Sequence, residues 1–247
     1  MSGLKVMMAY LHAFHGVKVF YTITTNGGHP MDNPIETYWN IRLASVKEQF
    51  EKNHFEVYLA KNCDDARNMV LNTIIPKTGA KSVSWGGSAT FVQTGLYDAL
   101  KNDWNMEILD TYDKNFTPEE AWERRRRSLM VDLFITGTNA ITEDGELVNL
   151  DMIGNRVGAI TFGPKHVILL VGRNKLVGDV EEAMIRIKNY AAPVNTMRLE
   201  KKTPCVKTSY CMDCNSPDRI CNTWVITEKC FPKGRVKLVL INEDLGF

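Results

Sequence analysis

Apolar Ile35, Tyr38, Trp39, Val46 and Phe50 recur at helical spacing with charged residues between them, which predicts an amphipathic helix over 35–50. Phe55-Glu56-Val57-Tyr58-Leu59 then alternates as a strand does, and Asp64 stands where it can cap a helix running to Ile75, with Pro76 and Gly79 to end it. The alternation repeats. Strands are expected at 82–85, 106–109, 133–136, 148–151 and 167–171, and helices at 88–100, 117–130 and 179–190. The helix start at Thr117-Pro118-Glu119-Glu120 is well formed: a threonine cap, a proline where the missing N–H is harmless, and a glutamate placed to reach back.

Strands and helices alternating at this spacing imply an α/β fold, a mostly parallel sheet with helices on both faces, and such sheets take ligands outside the carboxyl ends of their strands. After Pro193 the pattern changes to a cysteine-rich segment at 204–222. Two strands follow, 224–227 and 236–241, joined through Phe231-Pro232-Lys233-Gly234 and expected to form a C-terminal hairpin. Residues 1–30 fit poorly with the rest, since a strand-like Val17 to Ile23 runs into the turn formers Asn26-Gly27-Gly28-His29-Pro30. We read 1–30 as an N-terminal appendage, a start-site extension ahead of Met31, and 31–247 as one domain.

Charge changes the picture mainly by exclusion. The 247 residues carry 30 Lys+Arg against 29 Asp+Glu, a formal charge of +1, so there is no chain-wide basic field for nucleic acid or anionic membrane. The longest candidate export segment, Val6 to Phe14, is too short to span a bilayer and has no small-residue cleavage site, which points to a cytoplasmic protein with reduced thiols.

Two segments have the chemistry of a ligand site. Trp85-Gly86-Gly87-Ser88-Ala89-Thr90 sits at a strand-to-helix junction, where Gly86 and Gly87 free the backbone and Ser88 and Thr90 add hydroxyls. This is either a cradle for a phosphate or carboxylate or a tight turn capped by Ser88. It has neither the lysine of a P-loop nor the third glycine of a dinucleotide fingerprint. The second segment, Thr136-Gly137-Thr138-Asn139, ends an apolar strand, and Asn149 and Asp151 share one strand face with Asn155 and Arg156 close behind. Together these form a candidate polar pocket. Asp144-Gly145 marks a hairpin turn, and Arg124 to Arg127 reads as a solvated helix face from which one arginine could reach a ligand. No catalytic residue is identified: no nucleophile elbow and no His-Glu-x-x-His occurs, and the histidines lack a nucleophile partner.

Cys205, Cys211, Cys214 and Cys221 have the spacing C-x5-C-x2-C-x6-C. The C-x2-C step brings two sulfurs within reach of one ion, and the outer pair could complete a set for zinc or an iron–sulfur cluster; buried or redox-active thiols without metal are the alternative. Cys63 and Cys230 stand outside the set.

Taken in order, Trp85 to Thr90, Asp132 through Asp151, Gly154-Asn155-Arg156-Val157, Phe162-Gly163-Pro164-Lys165, Gly172-Arg173-Asn174-Lys175-Leu176-Val177 and the stretch Cys205 to Cys221 resemble the lactate-utilization (LUD) domain family, in its stand-alone C-type form, over Met31 to Phe247. The resemblance implies a fold like that of the glucosamine-phosphate isomerase, ribose-phosphate isomerase and CoA-transferase group. It further implies a component of a complex that oxidises L-lactate or a related 2-hydroxyacid beside an iron–sulfur partner subunit. The chain has no flavin or nicotinamide motif, so the redox cofactor is expected on another chain. The other reading is a binder, transferase or isomerase-like protein for a phosphorylated, carboxylated or acyl ligand, unrelated to lactate. A homodimer is the default assembly.

Overall fold

The computed structural model describes residues 33–102 and 106–247, so the expected appendage 1–30 and Met31 lie outside the described residues. The chain divides into two units, 1–38 and 39–247, and of the first only the opening turn of helix α1 (Pro34–Lys52) is described. Then come β1 (Glu56–Ala60), α2 (Cys63–Met69), α3 (Ile75–Thr78), β2 (Ser82–Trp85), α4 (Ala89–Gln93), α5 (Leu96–Asn102), β3 (Glu107–Leu109) and α6 (Pro118–Arg127). They are followed by β4 (Leu133–Gly137), β5 (Ala140–Thr142), β6 (Leu147–Asp151), α7 (Asn155–Thr161), β7 (His166–Gly172), β8 (Leu176–Val177), α8 (Val180–Arg186), α9 (Ala192–Arg198), α10 (Cys205–Thr208), β9 (Thr223–Thr227) and β10 (Val236–Ile241).

Six strands form one parallel sheet in the order β1-β10-β7-β4-β2-β3. The alternation of side chains across β7 shows how both faces are covered. Val167, Leu169 and Val171 pack with Leu43, Val46 and Phe50 of α1 and Ala159 and Ile160 of α7, whereas Ile168 and Leu170 pack with Ala66 of α2, Phe91 of α4 and Leu96 of α5. The α/β expectation, a mostly parallel sheet flanked by helices, is the fold observed. A second sheet, β8-β5-β6-β9, carries an antiparallel β5–β6 hairpin turned at Gly145 (φ +85°), as Asp144-Gly145 predicts.

Four local expectations are corrected. Asn62, not Asp64, caps α2, its side chain accepting from the Asp65 N–H at 2.9 Å, and Pro76 does not end the helix. A π-helical stretch, Val70–Ile74, leads into α3, which carries Pro76 in its first turn and ends at Gly79 in the left-handed region. The helix expected over 88–100 is broken at Gly95 (φ +72°) into α4 and α5. The C-terminal hairpin does not form. All six residues of β10 are buried, so it enters the parallel sheet between β1 and β7, while the half-exposed β9 pairs antiparallel with β6 in the second sheet.

The capping box at Thr117 is present, with Glu120 N–H to Thr117 Oγ1 at 3.2 Å and Thr117 N–H to Glu120 at 2.8 Å. Its helix continues as a 3-10 turn, Ser128–Met130, against which the chain returns at Gly163. Gly163 has φ +115°, and a Cβ there would lie 2.5 Å from the Leu129 carbonyl oxygen. Gly163→Ala is expected to destabilise the fold by about 2–3 kcal/mol in urea titration. Gly87→Ala, whose Cβ meets nothing within 4 Å, is the control and should lie within ~0.5 kcal/mol of wild type.

Candidate ligand-binding site

β2 and β4 end side by side, with Trp85 opposite Ile135, and just past their carboxyl ends opens a cavity of about 270 Å³. Gly87 and Ser88 wall it on one side, Gly137, Thr138 and Asn139 on the next, and Asp151, Asn155 and Arg156 close it from β6 and α7. Those eight residues of the expected pocket meet at one place. The other four, Gly86, Thr90, Thr136 and Asn149, lie beneath or beside the cavity and support its wall. Asn149 is fully buried, and its Oδ1 accepts from the Thr138 hydroxyl (3.1 Å), the Asn139 N–H (3.2 Å) and the Arg156 guanidinium.

Gly137 lets the two walls approach. A Cβ there would stand 2.7 Å from Ser88 Oγ and 3.3 Å from the Leu170 carbonyl, so the end of β4 has room only for glycine. Ser88 caps α4 through Phe91 N–H at 3.1 Å. The backbone amides of the glycine turn are partly committed inside the protein: Gly86 N–H bonds the Ile135 carbonyl (3.2 Å) and Ser88 N–H bonds the Tyr112 hydroxyl (3.0 Å). Tyr112 in turn donates to the Gly86 carbonyl at 2.7 Å, and burial pushes its phenol up to about 12.

Side-chain cations therefore dominate the electrostatics. Arg125, Arg156, Lys175 and Arg198 line the cavity against a single acid, Asp151. Arg156 is buried and donates to the Gly137 carbonyl (3.1 Å), the Leu150 carbonyl (3.2 Å) and Asn139 Oδ1 (2.7 Å), with Asp151 Oδ1 at 3.5 Å from its Nε. The second oxygen of Asp151 is buried and has no hydrogen-bond partner. Lys175, on the turn after β7, gives its ammonium to Thr90 Oγ1 (2.9 Å) and the Thr138 carbonyl (3.1 Å). Burial first, then the nearby Arg186 and Arg156 charges, lowers the Lys175 pKa to about 7. Arg186 sits behind the wall, bonded to the Asn139 and Asn174 carbonyls at 2.9 and 3.1 Å.

Within the arginine run the structure separates roles. Arg125 reaches the cavity, Arg124 stacks on Phe116 with its guanidinium carbon 4.1 Å from the ring centroid, and Arg126 turns to Glu123 at 3.7 Å. Lys175, Arg186 and Arg198 were not among the candidates read from the sequence. A lysine three residues past a strongly apolar strand is the one local signal that any of them offers.

A family model of the LUD domain matches residues 43–241. The chain belongs to the LUD domain family. Among solved structures, the crystal structure of a DUF162 family protein from Deinococcus radiodurans is similar at 14% sequence identity and a TM-score of 0.44, covering 82% of this chain and 97% of that one. No curated protein matches. The LUD domain match spans both ligand-cavity segments and the cysteines. At family level this is therefore a lactate-utilization-type protein, and among its described residues no helix is long and apolar enough to cross a membrane.

The four cysteines of the LUD domain's C-terminal segment line a second, small cavity of about 20 Å³, and Cys221 lies on both cavities. Cys63 is on α2, its N–H bonded to Glu243 at 2.9 Å, and Cys230 is buried against α1 and β10. Among the described residues no three His, Cys, Asp or Glu side chains already stand together as a metal-ligand group.

Proposed function

We propose that this LUD domain binds a small 2-hydroxyacid in the cavity past β2 and β4 and serves as the ligand-binding component of a 2-hydroxyacid-oxidising complex. The observation that carries this reading is the pairing of four cationic side chains with the partnerless buried oxygen of Asp151. A carboxylate gains charge-assisted hydrogen bonds from Arg125, Lys175 or Arg198, and a neighbouring hydroxyl donates to the Asp151 oxygen that otherwise stays buried without a partner. A volume of about 270 Å³ is at the lower end of small-molecule sites and suits a metabolite of few heavy atoms.

The chain supplies binding, orientation and charge. Arg156 holds Asp151 and the Asn139 amide in place rather than turning freely to solvent, since its own donors are spent on Gly137, Leu150, Asn139 and Asn149. Oxidation of a hydroxyl to a carbonyl releases two electrons and two protons. Those electrons require an acceptor on another subunit, an iron–sulfur or flavin protein.

The test is a melting-temperature comparison of the full chain with L-lactate and with propionate, which keeps the carboxylate and lacks the hydroxyl. L-lactate should raise the midpoint at concentrations where propionate does little, and Asp151→Asn should narrow the gap between them by about 1–2 kcal/mol of binding energy. Equal responses to both acids would refute the hydroxyl contact. Stabilisation by phosphorylated or acyl compounds and not by any 2-hydroxyacid would favour the second reading, a transferase- or isomerase-like binder, which the same cationic wall also supports.

A further inference from the structure

We propose that Cys205, Cys211, Cys214 and Cys221 bind a single zinc ion as a tetrathiolate, in the small cavity that abuts the ligand site. The four residues come from α10, the loop after it and the approach to β9, and the fold brings all of them to the wall of one space of about 20 Å³. That is room for roughly one water-sized sphere, which suits one ion and not a cubane of four metals and four sulfides.

The surroundings match the charge of such a centre. Zinc with four thiolates carries a net charge of −2, and Lys188 and Arg219 both line the same cavity. Arg219 also ties the loop by donating to the Cys214 carbonyl at 2.7 Å and the Cys221 carbonyl at 2.9 Å, so the backbone of two ligands is held before any ion arrives. Asp213, between Cys211 and Cys214, is drawn outward into ion pairs with Lys188 (2.9 Å) and Arg219 (3.2 Å) rather than facing the sulfurs. The Thr203 hydroxyl stands 3.1 Å from Cys205 Sγ and can donate to a thiolate there, whereas the Thr196 hydroxyl, 3.3 Å away, gives its proton to the Pro193 carbonyl at 2.7 Å. Binding exchanges four thiol protons, released to solvent, for four Zn–S bonds, and draws the sulfurs inward from the positions they hold in the free chain. Because Cys221 belongs to both cavities, the ion fixes one wall of the ligand site.

The test uses full-length protein purified anaerobically without a chelating resin. Elemental analysis should find about one zinc per chain, with negligible iron and no acid-labile sulfide. Apo protein titrated with cobalt alone should develop the d–d bands and sulfur-to-metal charge transfer of a tetrahedral thiolate site, saturating at one equivalent. Cys211→Ser with Cys214→Ser should abolish both signals, whereas Cys63→Ser should leave them intact. Should the double variant fail to fold, the wild-type cobalt spectrum and the release of one zinc by a thiol-mercurating reagent still decide the matter. Metal-free protein with no tetrahedral cobalt spectrum overturns the assignment, as does iron with sulfide in place of zinc.

Discussion

Arg156→Met should destabilise the protein by about 3–5 kcal/mol, the largest single-residue effect expected around the cavity. The substitution keeps much of the aliphatic volume and removes every donor. It leaves the Gly137 and Leu150 carbonyls and the Asn139 and Asn149 amide oxygens short of a partner, and strips the Asp151 carboxylate, only 14% exposed, of the cation at 3.5 Å. Arg156→Lys should recover only part of the loss, because one ammonium cannot reproduce a planar fork aimed at four acceptors on two segments of chain. Urea midpoints report the stability. A loss of less than ~1 kcal/mol for the methionine variant would mean that water replaces the guanidinium and that Arg156 does not organise the wall. L-lactate stabilisation should disappear in the same variant, since Asp151 and Asn139 lose their common anchor.

Lys175→Met should act in the opposite direction on stability and in the same direction on binding. The folded-state pKa of Lys175 is lowered from 10.5 to about 7, so between those values the unfolded chain holds a proton that the folded chain has given up. Stability from this group therefore rises with pH from about 7 to 10.5, and below about 7 the burial of a charged ammonium exerts its full destabilising effect. The window corresponds to roughly 4–5 kcal/mol at ~1.36 kcal/mol per pH unit. The methionine variant should lack that slope and be the more stable protein near neutrality. Its anion binding should nevertheless be weaker. In wild type, affinity for a carboxylate should fall as pH rises through 7, because the deprotonated amine loses its Coulombic attraction for the ligand. Urea midpoints across pH 6–10 for both proteins, with and without L-lactate, separate the two effects. Parallel pH profiles would show that Lys175 does not titrate in this range.

The two variants probe different parts of one arrangement. Arg156 is saturated with internal acceptors and positions its neighbours, whereas Lys175 has two fixed partners and a charge that depends on pH. A ligand anion would raise the Lys175 pKa and add negative charge to a wall where Asp151 alone stands against Arg125, Arg156 and Arg198.

Local chemistry determined much of this protein before any tertiary contact is considered. Period and caps set most of the elements, including the Thr117 capping box and the Asp144-Gly145 turn, because those signals act within a few residues. Two consecutive apolar faces on the strands required a sheet covered on both sides, and strand ends rich in Gly, Thr and Asn marked where its polar cavity opens. Placement across long separations was decided only by the fold. Val236 to Ile241 reads equally as half of a hairpin or as an interior strand, and the hydrophobic gap between β1 and β7 makes it the latter. The same is true of charge: Lys175 and Arg198 are unremarkable in sequence, nothing in the run Arg124 to Arg127 singles out Arg125, and the three converge only because β7, α6 and α9 end beside the carboxyl edge of β4. Short-range rules select a backbone conformation, but desolvation and Coulomb energy depend on distances through space, which the three-dimensional packing alone sets.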